Sequence, residues 1–187
     1  TVAQHALRLA AGTEAANAAP VLLIRGRIER ELGEYDSALA VFRAYFAHGG
    51  DWVLGQLEIA RCLFAVGQPD SAVRGYFAAA RRPAGDSARA EFRREVRWVA
   101  TPDELRAFDA LAPDSLAPWL TRFWDRRDLA DARRPGERLI EQFRRYAYAR
   151  QHFRLLSRHR KYDIAEIYRD STQSEFDDRG VIYLRHG

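Results

Sequence analysis

The chain contains the segment Gly33-Glu34-Tyr35-Asp36-Ser37-Ala38 and, further along, the segment Gly67-Gln68-Pro69-Asp70-Ser71-Ala72. Both segments place a glycine, an aspartate and an alanine at the same positions. The agreement extends outward, because a small residue stands seven positions before each glycine and an aromatic residue nine positions after it (Gly26 and Phe42, then Ala60 and Tyr76). The interval from one glycine to the other equals the period of about 34 residues that is typical of a helix-turn-helix repeat. The sequence therefore predicts stacked helix pairs.

The repeated residues suit a bend between two helices. Glycine adopts the left-handed backbone that ends many helices. Asp36 and Asp70 place carboxylates near the N-terminus of the following helix, and the alanines leave room for close helix approach. Apolar residues at helical spacing predict one helix pair over residues 21–32 and 35–46 and another over 52–66 and 69–82. Residues 2–11 look like the second helix of a preceding repeat, so we expect the array to begin upstream.

Together these positions resemble the tetratricopeptide repeat. The matching residues are Gly26, Gly33, Tyr35, Ala38 and Phe42 in the first copy and Ala60, Gly67, Ala72, Tyr76 and Ala79 in the second. The chain departs from that family's pattern at Arg25, Glu29 and Pro69. The resemblance implies antiparallel helix pairs that present a concave groove to protein partners.

The repeat register fades after Pro83, where a different module begins. Thr101 and Pro113 mark the starts of new helices, and a long amphipathic helix is predicted over 137–157. The predicted domains are therefore tetratricopeptide-like repeats over 1–85 and a second helical module over 86–187.

The second module ends in Asp178-Arg179-Gly180-Val181-Ile182-Tyr183-Leu184-Arg185, where a turn signal precedes alternating β-forming residues. This pattern predicts a short β-strand. A lone strand leaves its backbone groups unsatisfied, so we expect it to pair with another chain or with sequence beyond Gly187. The predicted fold class is mainly α, with stacked antiparallel helix pairs followed by a helical module and this short strand.

Three ordered blocks of the second module are similar to the GWxTD domain. They cover residues 119–128, 143–153 and 178–187. Residues 174–178 stand at the family's own motif and share its final aspartate. The GWxTD domain is bacterial and occurs mostly in predicted exported proteins, commonly behind helical repeats. The resemblance thus implies a location in the periplasm, outer envelope or cell surface, an incomplete domain, and no established reaction.

Basic residues concentrate in the second module. The net charge is +4, yet residues 122–161 hold thirteen basic and five acidic side chains. Arg150, Arg154 and Arg158 recur every four residues and so share a helix face, which Arg160 and Lys161 extend. This face is either a binding surface for an acidic partner or a solvated face balanced by acids of neighbouring helices. No nucleic-acid-binding motif accompanies the charge, so nucleic acid is a disfavoured partner.

Motifs for metal or cofactor chemistry are absent from the sequence. The five histidines lack zinc-site spacing, and Cys62 is the single cysteine, so no intramolecular disulfide forms. No phosphate-binding glycine loop or nucleophile motif occurs. Glu175, Asp177 and Asp178 could act as catalytic carboxylates, although adjacent acids before a turn also fit a solvated loop. We therefore predict no cofactor, no metal site and no catalytic residue.

These patterns favour a non-enzymatic interaction or scaffold subunit of a bacterial cell-envelope assembly, with protein partners in a large complex or in self-assembly. Two alternatives stay open: an enzyme of unknown reaction that uses the second module, and a polyanion-binding or nucleic-acid-binding protein that uses the basic helix. No apolar run approaches the ~20 residues that span a bilayer. The chain contains no methionine, so we expect the native start, with any signal peptide or lipid anchor, to lie upstream.

Overall fold

The computed structural model describes residues 17–153 and 175–187, and within these ranges the chain is helical with no β-strand. The α-helices are α1 (Ala19–Glu31), α2 (Tyr35–Ala47), α3 (Trp52–Ala65), α4 (Pro69–Ala80), α5 (Asp86–Val96), α6 (Pro102–Asp109), α7 (Leu116–Ala130), α8 (Glu137–His152) and α9 (Asp178–His186). A short 3-10 turn, Pro113–Ser115, precedes α7. In the described part of the chain, no helix combines the length and apolar character needed to cross a bilayer.

Helices α1 and α2 form one pair, α3 and α4 form the next, and each pair bends at its glycine. Gly33 and Gly67 have φ angles of 81° and 75°, in the left-handed region that glycine adopts without strain. The residue after each glycine donates its amide to a carbonyl five residues back, from Glu34 to Glu29 and from Gln68 to Leu63, both at 2.9 Å. These bonds satisfy carbonyls at the helix ends. The two bends thus share one hydrogen-bond pattern.

Small residues lie where helices approach each other closely. Ala38, Ala60 and Ala72 have no exposed surface. Gly26 of α1 faces the buried ring of Phe42 in α2, and a Cβ atom added at Gly26 would lie 2.5 Å from Phe42 Cε1. Because interiors are close-packed, these positions leave no room for a larger side chain.

The largest hydrophobic cluster extends from α3 to α8. It includes Leu57, Tyr76, Phe92, Trp124 and Leu139. Helix α5 packs on α3, α7 packs on α4, and α8 contacts α3, α4, α7 and α9. Residues on both sides of position 85 therefore share one packed interior, and the division into two domains stays a prediction from sequence pattern.

The prediction of a C-terminal strand is wrong, because Asp178–His186 forms helix α9. Asp177 caps this helix by accepting a hydrogen bond from the Gly180 amide at 3.0 Å, so the apparent turn signal is a helix start. Gly180 and Leu184, one helical turn apart, are buried, whereas Ile182 is 60% exposed. A helix satisfies its own backbone groups, which a lone strand does not. This segment is therefore not a β-strand that needs a second strand to satisfy its backbone groups.

Gly26→Ala is expected to lower the free energy of unfolding by about 1–3 kcal/mol, although alanine favours helix more than glycine does, because the new methyl overpacks against Phe42. Chemical denaturation measures this cost. The same substitution in a Phe42→Leu background is the control, since the ring atoms that the methyl meets are then absent. An equal cost in both backgrounds would show that the two residues are not coupled and would contradict the explanation.

Asp177→Ala is expected to loosen α9, because the carboxylate that accepts the Gly180 amide is lost. Asp178→Ala is the matched control, since it removes the same charge from an exposed neighbour in the same turn. Hydrogen exchange at the amides of residues 180–184 should be faster in Asp177→Ala than in the control. Equal exchange in the two variants would argue against the cap.

Candidate binding site beside helix α8

A cavity of about 820 Å³ lies among the two glycine bends and helices α5, α7 and α8. The bends contribute the ends of α1 and α3, and α8 contributes more lining residues than any other helix. Its volume lies within the range of roughly 300–1,000 Å³ typical of ligand sites. We call this space the α8 cavity.

Aromatic rings form much of the apolar lining. Phe64 of α3 and Phe143 of α8 stack with ring centroids 4.1 Å apart and planes inclined by 9°, which holds α8 against the second helix pair. Trp124 of α7 also lines the cavity. Two further lining residues, Leu32 and Tyr148, are each 44% exposed. The α8 cavity therefore presents apolar surface to solvent.

A buried ion network joins α1, α3 and α5 beside the cavity. Arg27, Arg61 and Glu95 follow one another at the repeat interval. The Arg61 guanidinium, with a side chain 5% exposed, lies 2.8 Å from each of the carboxylates of Glu58, Glu91 and Glu95. Arg27 contacts Glu58 at 2.6 Å and Glu91 at 3.2 Å. Pairing of this kind is what a buried charge requires, because its desolvation is costly.

The carboxylates of the network differ in how well their charge is compensated. Glu58 has no exposed side-chain surface, and burial opposes its ionisation, but nearby arginines outweigh burial and lower its pKa to about 2. Those arginines are Arg61, Arg30 and Arg27. At Glu95, burial dominates and Arg61 offsets only part of it, so the pKa rises to about 7. Glu95 is therefore the carboxyl of this network whose pKa lies nearest to neutral pH.

Three lining side chains carry polar atoms that have no hydrogen-bond partner among the described residues. Gln142 of α8 is 4% exposed, and its Oε1 accepts a hydrogen bond from Arg138 Nη1 at 2.9 Å. Gln142 Nε2 has no hydrogen-bond partner within the described ranges, and neither has Glu95 Oε2. Arg30 Nε is the third such atom, although it lies 3.3 Å from Glu58 Oε2. The cavity lining thus contains two unsatisfied donor groups and one unsatisfied acceptor.

Arg150 is the one predicted partner-binding residue within the described ranges, and it lines the α8 cavity. Its guanidinium forms an ion pair with Glu31 of α1 and lies 3.8 Å from Glu175 Oε1. Arg150 therefore connects α8 to the first helix pair and is balanced by acids of neighbouring segments. Arg154, Arg158, Arg160 and Lys161 lie outside the described residues, so the basic helix face stays a prediction.

Two of the three candidate catalytic carboxylates have separate structural roles. Glu175 Oε1 accepts a hydrogen bond from the Tyr146 hydroxyl at 2.6 Å, and burial together with the Glu175 charge raises the pKa of Tyr146. Asp177 caps α9 and pairs with Arg179, and these hydrogen bonds lower the pKa of Asp177. Asp178 is exposed. Their arrangement assigns no acid and base pair.

The described part of the chain contains no cluster of side chains arranged as a metal site, and its cysteine is buried. No three or more His, Cys, Asp or Glu side chains of these residues are placed to hold a metal ion. His48, His152 and His186 are exposed, and His5 and His159 lie outside the described ranges. Burial raises the pKa of the Cys62 thiol to about 12, so this cysteine packs as a small apolar residue.

Sequence patterns did not single out Arg61, Glu95, Gln142 and Tyr146 as site residues. A signal existed for the first two, because the repeat interval, counted from Arg27, leads to Arg61 and then, beyond Pro83, to Glu95. Gln142 follows the apolar Leu139 by three residues and borders the predicted stripe of α8. Its burial depends on the packing of α8 against α3, which no local pattern shows.

Comparison of the chain with protein-family models, with curated proteins and with solved structures gave no match.

Glu95→Gln removes a carboxyl whose pKa is raised by folding. The folded protein binds this proton more tightly than the unfolded chain does, so the contribution of Glu95 to stability falls as the pH rises through the interval between its ordinary pKa and about 7. We expect the free energy of unfolding of the wild type, relative to Glu95→Gln, to decrease between about pH 5 and pH 8 by on the order of 3 kcal/mol. Chemical denaturation at several pH values measures the difference.

Glu104→Gln is the control for this titration, because Glu104 pairs with Arg127 and Arg126 and lies outside the network. The pKa of Glu104 is lowered, so both its folded and its unfolded pKa lie below this pH interval and its difference from wild type should stay constant. A difference for Glu95→Gln that stays constant as well, or that increases with pH, would contradict the assignment of a raised pKa.

Proposed function

We propose that the chain is a non-enzymatic binding module, a scaffold subunit that takes a segment of a partner protein into the α8 cavity. The observation that carries this proposal is the cavity itself, which presents exposed apolar side chains and stacked aromatic rings in a concave space. Burial of such surface by a partner is favourable, and sites of this shape are the usual places for ligands.

The apolar part of the cavity supports a partner that inserts an apolar side chain. Leu32 and Tyr148 lie at the solvent-exposed part of the lining. The Phe64 and Phe143 rings are already stacked, so little conformational freedom is lost when a ligand packs against them.

The charged part of the cavity supports the same interpretation. The lining arginines each have a carboxylate partner within the described residues, so they hold the walls together. They are Arg30, Arg61, Arg94, Arg144 and Arg150. An acidic ligand would have to displace existing ion pairs, which disfavours a polyanion in this cavity.

The two sequence resemblances supply the context of the proposal. The likeness to the tetratricopeptide repeat implies protein partners, and the likeness to the GWxTD domain implies export to a bacterial cell envelope. We therefore place the proposed scaffold in a periplasmic, outer-envelope or cell-surface assembly, in a larger complex or in self-assembly. The enzyme hypothesis gains no specific support, since Glu175 and Asp177 are engaged in structural hydrogen bonds.

Selection of a displayed random-peptide library on the purified protein tests this function. We expect the selected peptides to carry an aromatic or aliphatic anchor residue and to lose about tenfold or more in affinity for Leu32→Ser and for Tyr148→Ala, because each change removes apolar surface at the cavity. Isothermal titration calorimetry measures the affinities.

Leu129→Ser is the matched control, because Leu129 of α7 is 81% exposed and does not line the cavity. Its affinity for the selected peptides should equal that of the wild type. A library that yields no binding peptide, or peptides whose affinity changes in the control and not in the two cavity variants, would overturn the proposed function.

A further inference from the structure

One face of helix α8 forms a long wall of the α8 cavity. Ile140, Phe143 and Ala147 line the cavity and follow one another at intervals of three and four residues, so they lie on the same face of the helix. Gln151, which also lines the cavity, continues this face by about one turn. The face from Ile140 to Gln151 is about 16 Å long, because a helix rises about 1.5 Å per residue. The cavity is therefore elongated along α8, and most of this wall is apolar.

Small and exposed residues leave this wall accessible to a partner. Ala147, near the middle of the wall, is exposed, and its side chain is small enough for a second helix to approach α8 closely. The glycine bends add apolar lining, because Leu32 at the first bend and Ala65 at the second are exposed as well. A partner segment that lies along α8 therefore meets apolar surface on α8 and at both bends.

Apolar lining of this kind favours a helix over an extended peptide. A peptide that is buried in the cavity needs partners for its backbone N–H and C=O groups. An extended peptide commonly finds them at the edge of a β-sheet, and the described residues form no β-strand. The side chains of Ile140, Phe143 and Ala147 offer no polar atoms. A helix satisfies its own backbone groups and needs only an apolar stripe on the wall.

The exposed charges at the cavity are mainly positive. Five arginines and two glutamates line it. The side chain of Arg144 is 74% exposed and that of its partner Glu141 only 21%. Arg94 is 40% exposed and its partner Glu91 only 14%. The more exposed of the two lining glutamates, Glu31, is already paired with an arginine. The charge that an approaching partner meets is therefore that of arginine, which complements an acidic partner.

An acidic residue at the edge of the cavity leaves the existing ion pairs in place. A guanidinium has five N–H donors, so Arg144 can hold Glu141 and contact a second carboxylate. An exposed pair of this kind contributes little to stability, so sharing its arginine costs little. The buried arginine Arg61 keeps its own carboxylates. The complementary ligand thus carries apolar residues toward the wall and acidic residues beside them.

We propose that the partner segment is an acidic amphipathic α-helix of about three turns that lies along α8. Its apolar stripe packs on Ile140, Phe143 and Ala147. Its acidic residues lie beside Arg94 and Arg144. About three turns match the length of the α8 wall, and apolar residues at positions i, i+3, i+4 and i+7 form the stripe. This inference rests on the proposed function, in which a protein segment occupies the α8 cavity, and it names the class of that segment.

Three displayed libraries of peptides about twelve residues long test the inference. The first has randomised apolar residues at helical spacing and glutamate at the flanking positions. The second has the same composition with the apolar residues at every second position, and the third is the first with lysine in place of glutamate. We expect the first library to yield peptides that bind at least about tenfold more tightly than the best peptides of the other two. Fluorescence polarisation at about 0.15 M salt measures the affinities.

The conformation of the bound peptide is a separate measurement. The Cα chemical shifts of an isotope-labelled peptide from the first library should indicate a helix when the peptide is bound to the protein. Replacing a central residue outside the apolar stripe by proline should lower the affinity about a hundredfold, because proline breaks the interior of a helix.

Ala147→Trp tests whether the helix lies along α8. The large ring occupies the middle of the wall, so the affinity of the selected helical peptides should fall at least about tenfold. Ala40→Trp is the matched control, because Ala40 of α2 is also exposed and does not line the cavity. Both positions are exposed, so both variants should fold, and the control should bind like the wild type.

Arg144→Glu tests the charge complementarity. The acidic helical peptides should lose about tenfold in affinity, and their lysine counterparts should gain. Arg106→Glu is the matched control, because Arg106 has the same exposed fraction, 74%, and the same pairing with an acid three residues away, Asp103. Arg106 does not line the cavity, so this variant should keep the preference of the wild type for the acidic peptides.

The inference is overturned if no library yields a binding peptide, if the alternating or the lysine library yields the tightest peptides, or if the bound peptide is extended. Equal affinities for Ala147→Trp and Ala40→Trp would overturn it as well. Its failure is distinguishable from failure of the proposed function. Peptides from a random library that depend on Leu32 and Tyr148 but bind in an extended form would remove the acidic helix and keep the binding function.

Discussion

Helices of this protein contact one another at positions that recur at one fixed interval along the chain, and this interval constrains both the packing of the helices and their buried charges. Gly26 lies against the ring of Phe42 where α1 meets α2. One position further along α1, the same interval relates Arg27 to Arg61 and Glu95, which lie in the ion network of α1, α3 and α5. The same spacing therefore places both the close helix contact and the ion pairs, because helices that stack in register bring equivalent positions together.

Helix α8 turns the stacked helix pairs into a candidate binding site. It packs on α3 through the stacked rings of Phe64 and Phe143 and connects to α1 through Arg150 and Glu31. The space left between α8 and the two bends is the α8 cavity. Its walls are held by contacts between segments far apart in the chain, so the site exists only when α8 is docked.

The C-terminal segment shows where local pattern and tertiary context disagree. Val181 to Leu184 alternate in the manner of a strand, yet the Asp177 cap and the burial of Gly180 and Leu184 produce a helix. Residues with high β-propensity form helices when capping and packing favour them, since propensity is a weak preference that context overrides. The helix pairs were predictable for the opposite reason: there the glycine bends, the spacing of apolar residues and the repeat all indicate the same structure.

The sequence by itself determined the helical class, the positions of the Gly33 and Gly67 bends and the small residues at the helix contacts. These features follow from backbone conformation and spacing within a few helical turns, which short segments encode. The tertiary structure alone decided that Glu95 is buried with a raised pKa, that Gln142 Nε2 has no partner among the described residues, and that Arg150 is paired with Glu31. Desolvation and ion pairing depend on which distant surfaces meet, and a linear pattern does not contain that information.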